Sequence, residues 1–245
     1  MKYLLTISAL FFASFMFGQV TEFRTGDKEF IEDVENYVSP LPKSQSKELI
    51  KALKSVYSSK YNASQKEKIV SYSNQMLKKK IKLKPHFLAY FNSVIGQTKG
   101  STFSTTEFDN WTDVMDKLLK QKNKRRLTDF LEFTDKLFNN HELYSSSSIT
   151  WKLSKGTYTF SYKNGAFVDF KNLDLVCRAK NDSSVIYETS GQLNVSTSVF
   201  LGDKGIVTWE RHGLDKDHYC NLGTYEFEIK KAIYEIDEPV LHFPT

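Results

Sequence analysis

Tyr158-Thr159-Phe160-Ser161-Tyr162-Lys163-Asn164-Gly165-Ala166-Phe167-Val168-Asp169-Phe170 is the stretch on which the fold turns. Tyr158, Phe160 and Tyr162 alternate with small polar residues, the period of a half-buried strand. Asn164-Gly165 then tolerates positive φ at both positions, so the run predicts a hairpin and at least some antiparallel pairing.

Working downstream, period two recurs in Leu173, Leu175 and Cys177, and again in Tyr225, Phe227 and Ile229. Turn signals at Asn181-Asp182, Ser190-Gly191 and Gly202-Asp203 divide the region into some eight or nine strands. A sandwich and the first coils of a β-solenoid both fit this pattern.

Upstream the period is helical. Phe30, Ile31, Val34, Tyr37 and Val38 form one stripe, and Leu49, Ile50, Leu53, Val56 and Tyr57 a second. Ile69, Val70, Met76 and Leu77 form a weaker one, followed by Phe87, Leu88, Phe91, Val94 and Ile95. Two more run through Phe108, Trp111, Met115, Leu118 and Leu119, and through Leu127, Phe130, Leu131, Leu137 and Phe138. Ser64 with Glu67 and Ser104 with Glu107 have the spacing of capping boxes. Pro40 and Pro42 separate the first two helices, and Pro85 suits a first helical turn. The expectation is an α+β chain. An N-terminal bundle of about six helices (residues 19–146) precedes a β-rich domain (residues 147–245), with the boundary at Ser145–Ser148.

The first 18 residues follow a different logic. Lys2 precedes an apolar run of about 15 residues, Tyr3 to Phe17, and Gly18 offers a small residue before Gln19. That order is the order of a secretory signal peptide, and the run is shorter than the roughly 20 residues of a spanning helix. Export is therefore expected, to the periplasm, outer surface or medium, with no transmembrane span after cleavage. Export also argues against nucleic acid as a partner. The chain stops at Leu241-His242-Phe243-Pro244-Thr245 directly after strand-like residues, which reads as an interruption of a longer protein.

Charge divides unevenly. Residues 20–146 hold 22 Lys/Arg against 16 Asp/Glu, and residues 147–245 hold 11 against 13. The only two cysteines, Cys177 and Cys220, enclose about 42 residues; a disulfide there would contribute ~3–4 kcal/mol, and two buried thiols are the alternative.

Asp169-Phe170-Lys171-Asn172-Leu173-Asp174-Leu175, Ser184-Val185-Ile186-Tyr187 and Gly202 to Arg211 together give residues 150–245 a resemblance. They resemble the opening of large exported surface proteins of Bacteroidota, in which a signal peptide and a helical segment precede extended β structure. The resemblance implies no assigned activity and transfers no catalytic residue.

The densest polar cluster is Trp209 to Cys220, which contains Glu210, His212, Asp215, Asp217 and His218. His212, His218 and Cys220 are zinc-ligand types, but their spacing matches no metal signature. A solvated loop turned by Gly213 and Asp215 accounts for them, so no metal or cofactor is expected. The carboxylates could also form a glycosidase pair, which keeps a secreted hydrolase of polysaccharide or peptide as the rival to a non-catalytic module.

Two basic stretches stand out: Lys78, Lys79, Lys80, Lys82 and Lys84, then Lys120, Lys122, Lys124, Arg125 and Arg126. Both fall at predicted helix ends, where cations complement the negative end of the macrodipole. The functional alternative is attraction to an anionic envelope component or a polysaccharide. Trp151 and Trp209 could stack sugars if they face outward. The expectation is thus an exported, non-catalytic binding or structural module of the bacterial envelope or surface.

Overall fold

Apolar stripes at helical spacing fold as helices here. The computed structural model describes residues 20–99, 104–147, 149–179, 183–211, 225–235 and 241–242. The chain divides into two compact units, Met1–Leu83 and Lys84–Thr245.

In the first unit, α1 (Asp27–Val38) buries Phe30, Ile31, Val34 and Val38, and α2 (Lys43–Lys60) buries Leu49, Leu53 and Tyr57. The two stripes meet where Phe30 stacks on Tyr57, with ring centroids 4.7 Å apart. Pro42 caps α2 and breaks the chain as expected. The third helix, α3 (Ala63–Lys78), has its capping box at Asn62 and Gln65, not at Ser64 and Glu67. Each of the first two accepts the other's amide at 3.0 Å. Asn62 is extended and already positioned outside the helix, whereas Ser64 lies within the first turn.

The chain leading into α1 is tied down by side chains. The Asn74 amide accepts from Phe23 N at 2.7 Å and donates to Phe23 O at 2.9 Å. The next residue, Arg24, donates to Asp33 from its guanidinium at 2.7 Å and from its backbone amide at 2.8 Å.

Near the start of the second unit, Pro85 lies just ahead of α4 (Leu88–Gly96), a helix buried over most of its circumference. Then come α5 (Thr105–Lys120), capped by Ser104 as expected, and α6 (Arg125–Asn140). Helices α4 and α6 approach closely. Ser93 Oγ lies 2.9 Å from Thr134 Oγ1, and a Cβ on Gly96 would come within 2.7 Å of Phe138 Cβ. Glycine is therefore required at 96.

Nine strands follow among the described residues: β1 (Glu142–Ser145), β2 (Ile149–Tyr162), β3 (Ala166–Ala179), β4 (Ser183–Asn194), β5 (Val199–Gly202), β6 (Gly205–Arg211), β7 (Tyr225–Ile229), β8 (Ala232–Glu235) and β9 (Leu241–His242). They form one strongly curled antiparallel sheet of order β1-β2-β3-β4-β5-β8-β9, with β6 pairing β4 and β7. The α+β arrangement is thus present. Its β part is one curled sheet whose pairs among the described residues are all antiparallel, unlike the parallel ladder of a β-solenoid.

The hairpin at Asn164-Gly165 forms, with Tyr162 opposite Ala166 across a three-residue loop, and Asn164 alone takes the positive φ, 60°. Ser190-Gly191, expected to turn, instead lies inside β4, because a bulge in β3 places Lys171 and Asn172 opposite Ser190. That bulge changes the strand's parity. Val168 and Phe170 precede it, Leu173 and Leu175 follow it, and all four are buried. In β2, irregular pairing around Lys155 performs the same shift between Leu153 and Phe160. The apolar side chains of a bent sheet thereby stay on one face.

Helices cover part of that face. Phe160 of β2 receives Phe130 and Phe138 of α6 edge-on, with centroids 5.6 and 5.7 Å away. The change of period near Ser145 is therefore a change of secondary structure inside the second unit, since α4 to α6 and the sheet both belong to it. No helix among the described residues is long and apolar enough to cross a membrane.

Candidate functional site

The sequence-expected residues scatter. His212, Asp215, Asp217, His218 and Cys220 lie outside the described residues, as do the first 18 residues and Asn181-Asp182. Glu210 belongs to β6 opposite Ser184 of β4. Among the described residues no group of three or more His, Cys, Asp or Glu is placed to hold a metal ion, and no disulfide is present. Cys177 is a free, half-buried thiol, and burial pushes its pKa up to about 11.

The tryptophans separate. Trp151 is buried on the apolar face of β2, so it offers nothing to a sugar, while Trp209 is 41% exposed on β6. Phe227 of β7, 54% exposed, lies on the same face, two pairs along the ladder.

The basic stretches are where local structure revises the electrostatics. Lys78 closes α3 and Lys120 closes α5, where a cation does complement the helix field. Lys79 and Lys80 follow α3, Lys80 with a positive φ of 54°. Lys82 and Lys84 are exposed. Lys124, Arg125 and Arg126 occupy the opposite end of a helix. Lys124 is the N-cap of α6, Arg125 and Arg126 open its first turn, and that turn holds no acidic residue. The helix dipole adds to their charge, and each such exposed placement is disfavoured by about 0.3–1 kcal/mol. Helix-end stabilisation therefore accounts for Lys120 and fails for Lys124, Arg125 and Arg126.

Local contacts fix this loop against the sheet. Asn123 Oδ1 accepts the Arg125 amide at 2.9 Å, and Arg125 pairs with Asp129 one turn on, at 3.7 Å. Arg126 donates to the carbonyl of Asn164 at 2.8 Å, and Gln121 donates to the phenol of Tyr162. The α5–α6 loop thus docks on the tip of the β2–β3 hairpin, which adds the exposed Lys163 between those two contacts. Six cations, Lys120, Lys122, Lys124, Arg125, Arg126 and Lys163, gather at one end of the second unit. The sequence signal for five of them was plain. The sixth is 37 residues from Arg126 in the chain and required the tertiary contact. No protein-family model matches the chain, and no curated protein or solved structure matches it either.

Proposed function

We propose that this chain is an exported, non-catalytic binding module of the bacterial cell envelope, attached through its cationic tip to an anionic lipid surface. The observation that carries the reading is the position of Lys124, Arg125 and Arg126 at the amino end of α6. Their charge opposes the helix field and only Arg125 meets a carboxylate, Asp129, while an external anion gains from both the side chains and the helix dipole. Lys163 reinforces the same end from a separate element. The signal-peptide order of Met1 to Gly18 and the resemblance to exported surface proteins support the compartment.

Each exposed cation near an anionic membrane contributes about 1 kcal/mol. Replacing Lys122, Lys124 and Lys163 together by Glu should weaken binding to vesicles of 30% phosphatidylglycerol by at least about a hundredfold. Co-sedimentation in low and high salt is the measurement. Wild-type binding that is absent, or that persists unchanged in 0.5 M NaCl, contradicts the proposal. So does a triple variant that binds like the wild type.

A further inference from the structure

The curled sheet carries a groove on its outer face, and its origin is a double interruption of the ladder. On one side of β4, Lys171 and Asn172 bulge opposite Ser190, with Asn172 left-handed at φ 50°. Its amide takes Ser190 Oγ as acceptor at 3.2 Å in place of a ladder bond. On the other side β4 changes partner. Gly191 to Asn194 pair with β5, Ser183 to Glu188 pair with β6, and Thr189 and Ser190 fall in the gap between. The β5–β6 corner is held into that gap by Asp203 N, which donates to Ser190 O at 2.7 Å. A depression of about 650 Å³ results, a volume within the range of small-ligand clefts.

Its lining has a definite chemistry. Asp169 accepts from Ser161 Oγ at 2.8 Å through one carboxylate oxygen and from Gln192 Nε2 at 2.5 Å through the other, which fixes the carboxylate in the groove. Asp169 and Asp203 are balanced by Lys171 and Lys231. Beside them Leu201, paired with Gln192, is an apolar ledge 41% exposed to solvent.

We infer that this groove binds a neutral, hydroxyl-rich saccharide. A phosphate would face two carboxylates and a metal cation two ammonium groups. A purely apolar ligand would strip water from charged groups and return no hydrogen bond. Sugar hydroxyls both donate and accept, so they can satisfy carboxylate, amide and ammonium together, while the C–H face of the ring rests on Leu201. The groove shares no residue with the cationic tip, and the two proposals fail separately.

The test is an amide-shift titration of the isotopically labelled full chain with cellohexaose, maltohexaose, xylohexaose and mannohexaose, each to 20 mM. Inorganic phosphate and a hexamer of galacturonic acid serve as charged comparators. At least one neutral hexaose should give saturable shifts at Asn172, Ser190, Gln192 and Leu201. Asp169→Asn and, separately, Leu201→Glu should each weaken that binding at least tenfold in proteins whose spectra remain dispersed. Leu201 is exposed, so the second variant keeps the test open should the first disturb the sheet. Absence of shifts with every neutral hexaose overturns the inference, as does binding of the charged comparators alone or binding unchanged in both variants.

Discussion

The phenol of Tyr187 donates to the backbone carbonyl of Asp203 at 2.7 Å, one of the bonds that fasten the β5–β6 corner to the strand where the sheet divides. Thr189 Oγ1 donates to the same carbonyl at 3.0 Å. The corner can reach them because Gly202 has no side chain; a Cβ there would lie 2.6 Å from the Tyr187 oxygen.

Tyr187→Phe should therefore cost about 0.5–1.5 kcal/mol, since Thr189 still serves the carbonyl. Gly202→Ala should cost more, about 1–3 kcal/mol, through overpacking. In the double variant the shortest of the close contacts is gone while ring carbon Cε1 remains 2.8 Å away, so urea denaturation should give a loss somewhat smaller than the two single losses added. Strict additivity would show that the two residues do not meet.

A second expectation concerns pH. Burial alone raises the Asp33 carboxyl, but hydrogen bonds from the Arg24 side chain and amide outweigh it and hold the group below its ordinary 3.8. A depressed folded value means stability that is present above the unfolded value and lost as pH falls through the folded one. The thermal midpoint of the full chain should drop on acidification below about pH 4. Asp33→Asn should be less stable at neutral pH and show a shallower acid limb. Parallel acid limbs would remove Asp33 from the account.

Cys177 should be slow to react. With its thiol pushed up to about 11 by burial, only about a thousandth is thiolate at pH 8. Iodoacetamide followed by mass mapping of the peptide that contains Cys177 should find little label in the native protein and full label in urea. Rapid native labelling would contradict the burial.

Tryptophan emission offers an independent check on the sheet. Trp111 and Trp151 are 0% and 3% exposed, against 41% for Trp209. Iodide should quench one component of the three, and Trp209→Phe should abolish that component while Trp151→Phe leaves it intact. Quenching that survives Trp209→Phe would place another tryptophan at the surface.

Periodicity made much of this architecture legible. The helical stripes and the Asn164-Gly165 hairpin follow from local spacing, because a helix face or a tight turn is decided within a few residues. Ser190-Gly191 misled for a physical reason. The dipeptide has turn chemistry, yet Gly191 pairs with Phe170 on one side and Gly202 on the other, which keeps β4 running, and the irregularity appears across the strand at Lys171 and Asn172. Ser64 likewise has the spacing of a cap, but Asn62 caps first. The basic loop shows the same limit at the level of sites. Its charge is visible in the sequence, while the polarity of the helix that carries it depends on whether Lys124 ends one helix or begins the next. The groove had no local signature at all, since Asp169, Ser190 and Lys231 meet only through strand order.

The bulge in β3 gives that strand one residue more than its partner. Lys171 is exposed and its identity is free to drift; its loss would leave Asn172 alone opposite Ser190, so that Val168, Phe170, Leu173 and Leu175 share one face by simple alternation and the strand loses the extra residue that bends it. What the extra residue supplies is bend, and Gly156 of β2, at φ +113°, lies against it, where a Cβ would come within 2.8 Å of Asn172 O. A frame-preserving loss of one codon at Lys171 should therefore flatten this part of the sheet while its core side chains keep their facing.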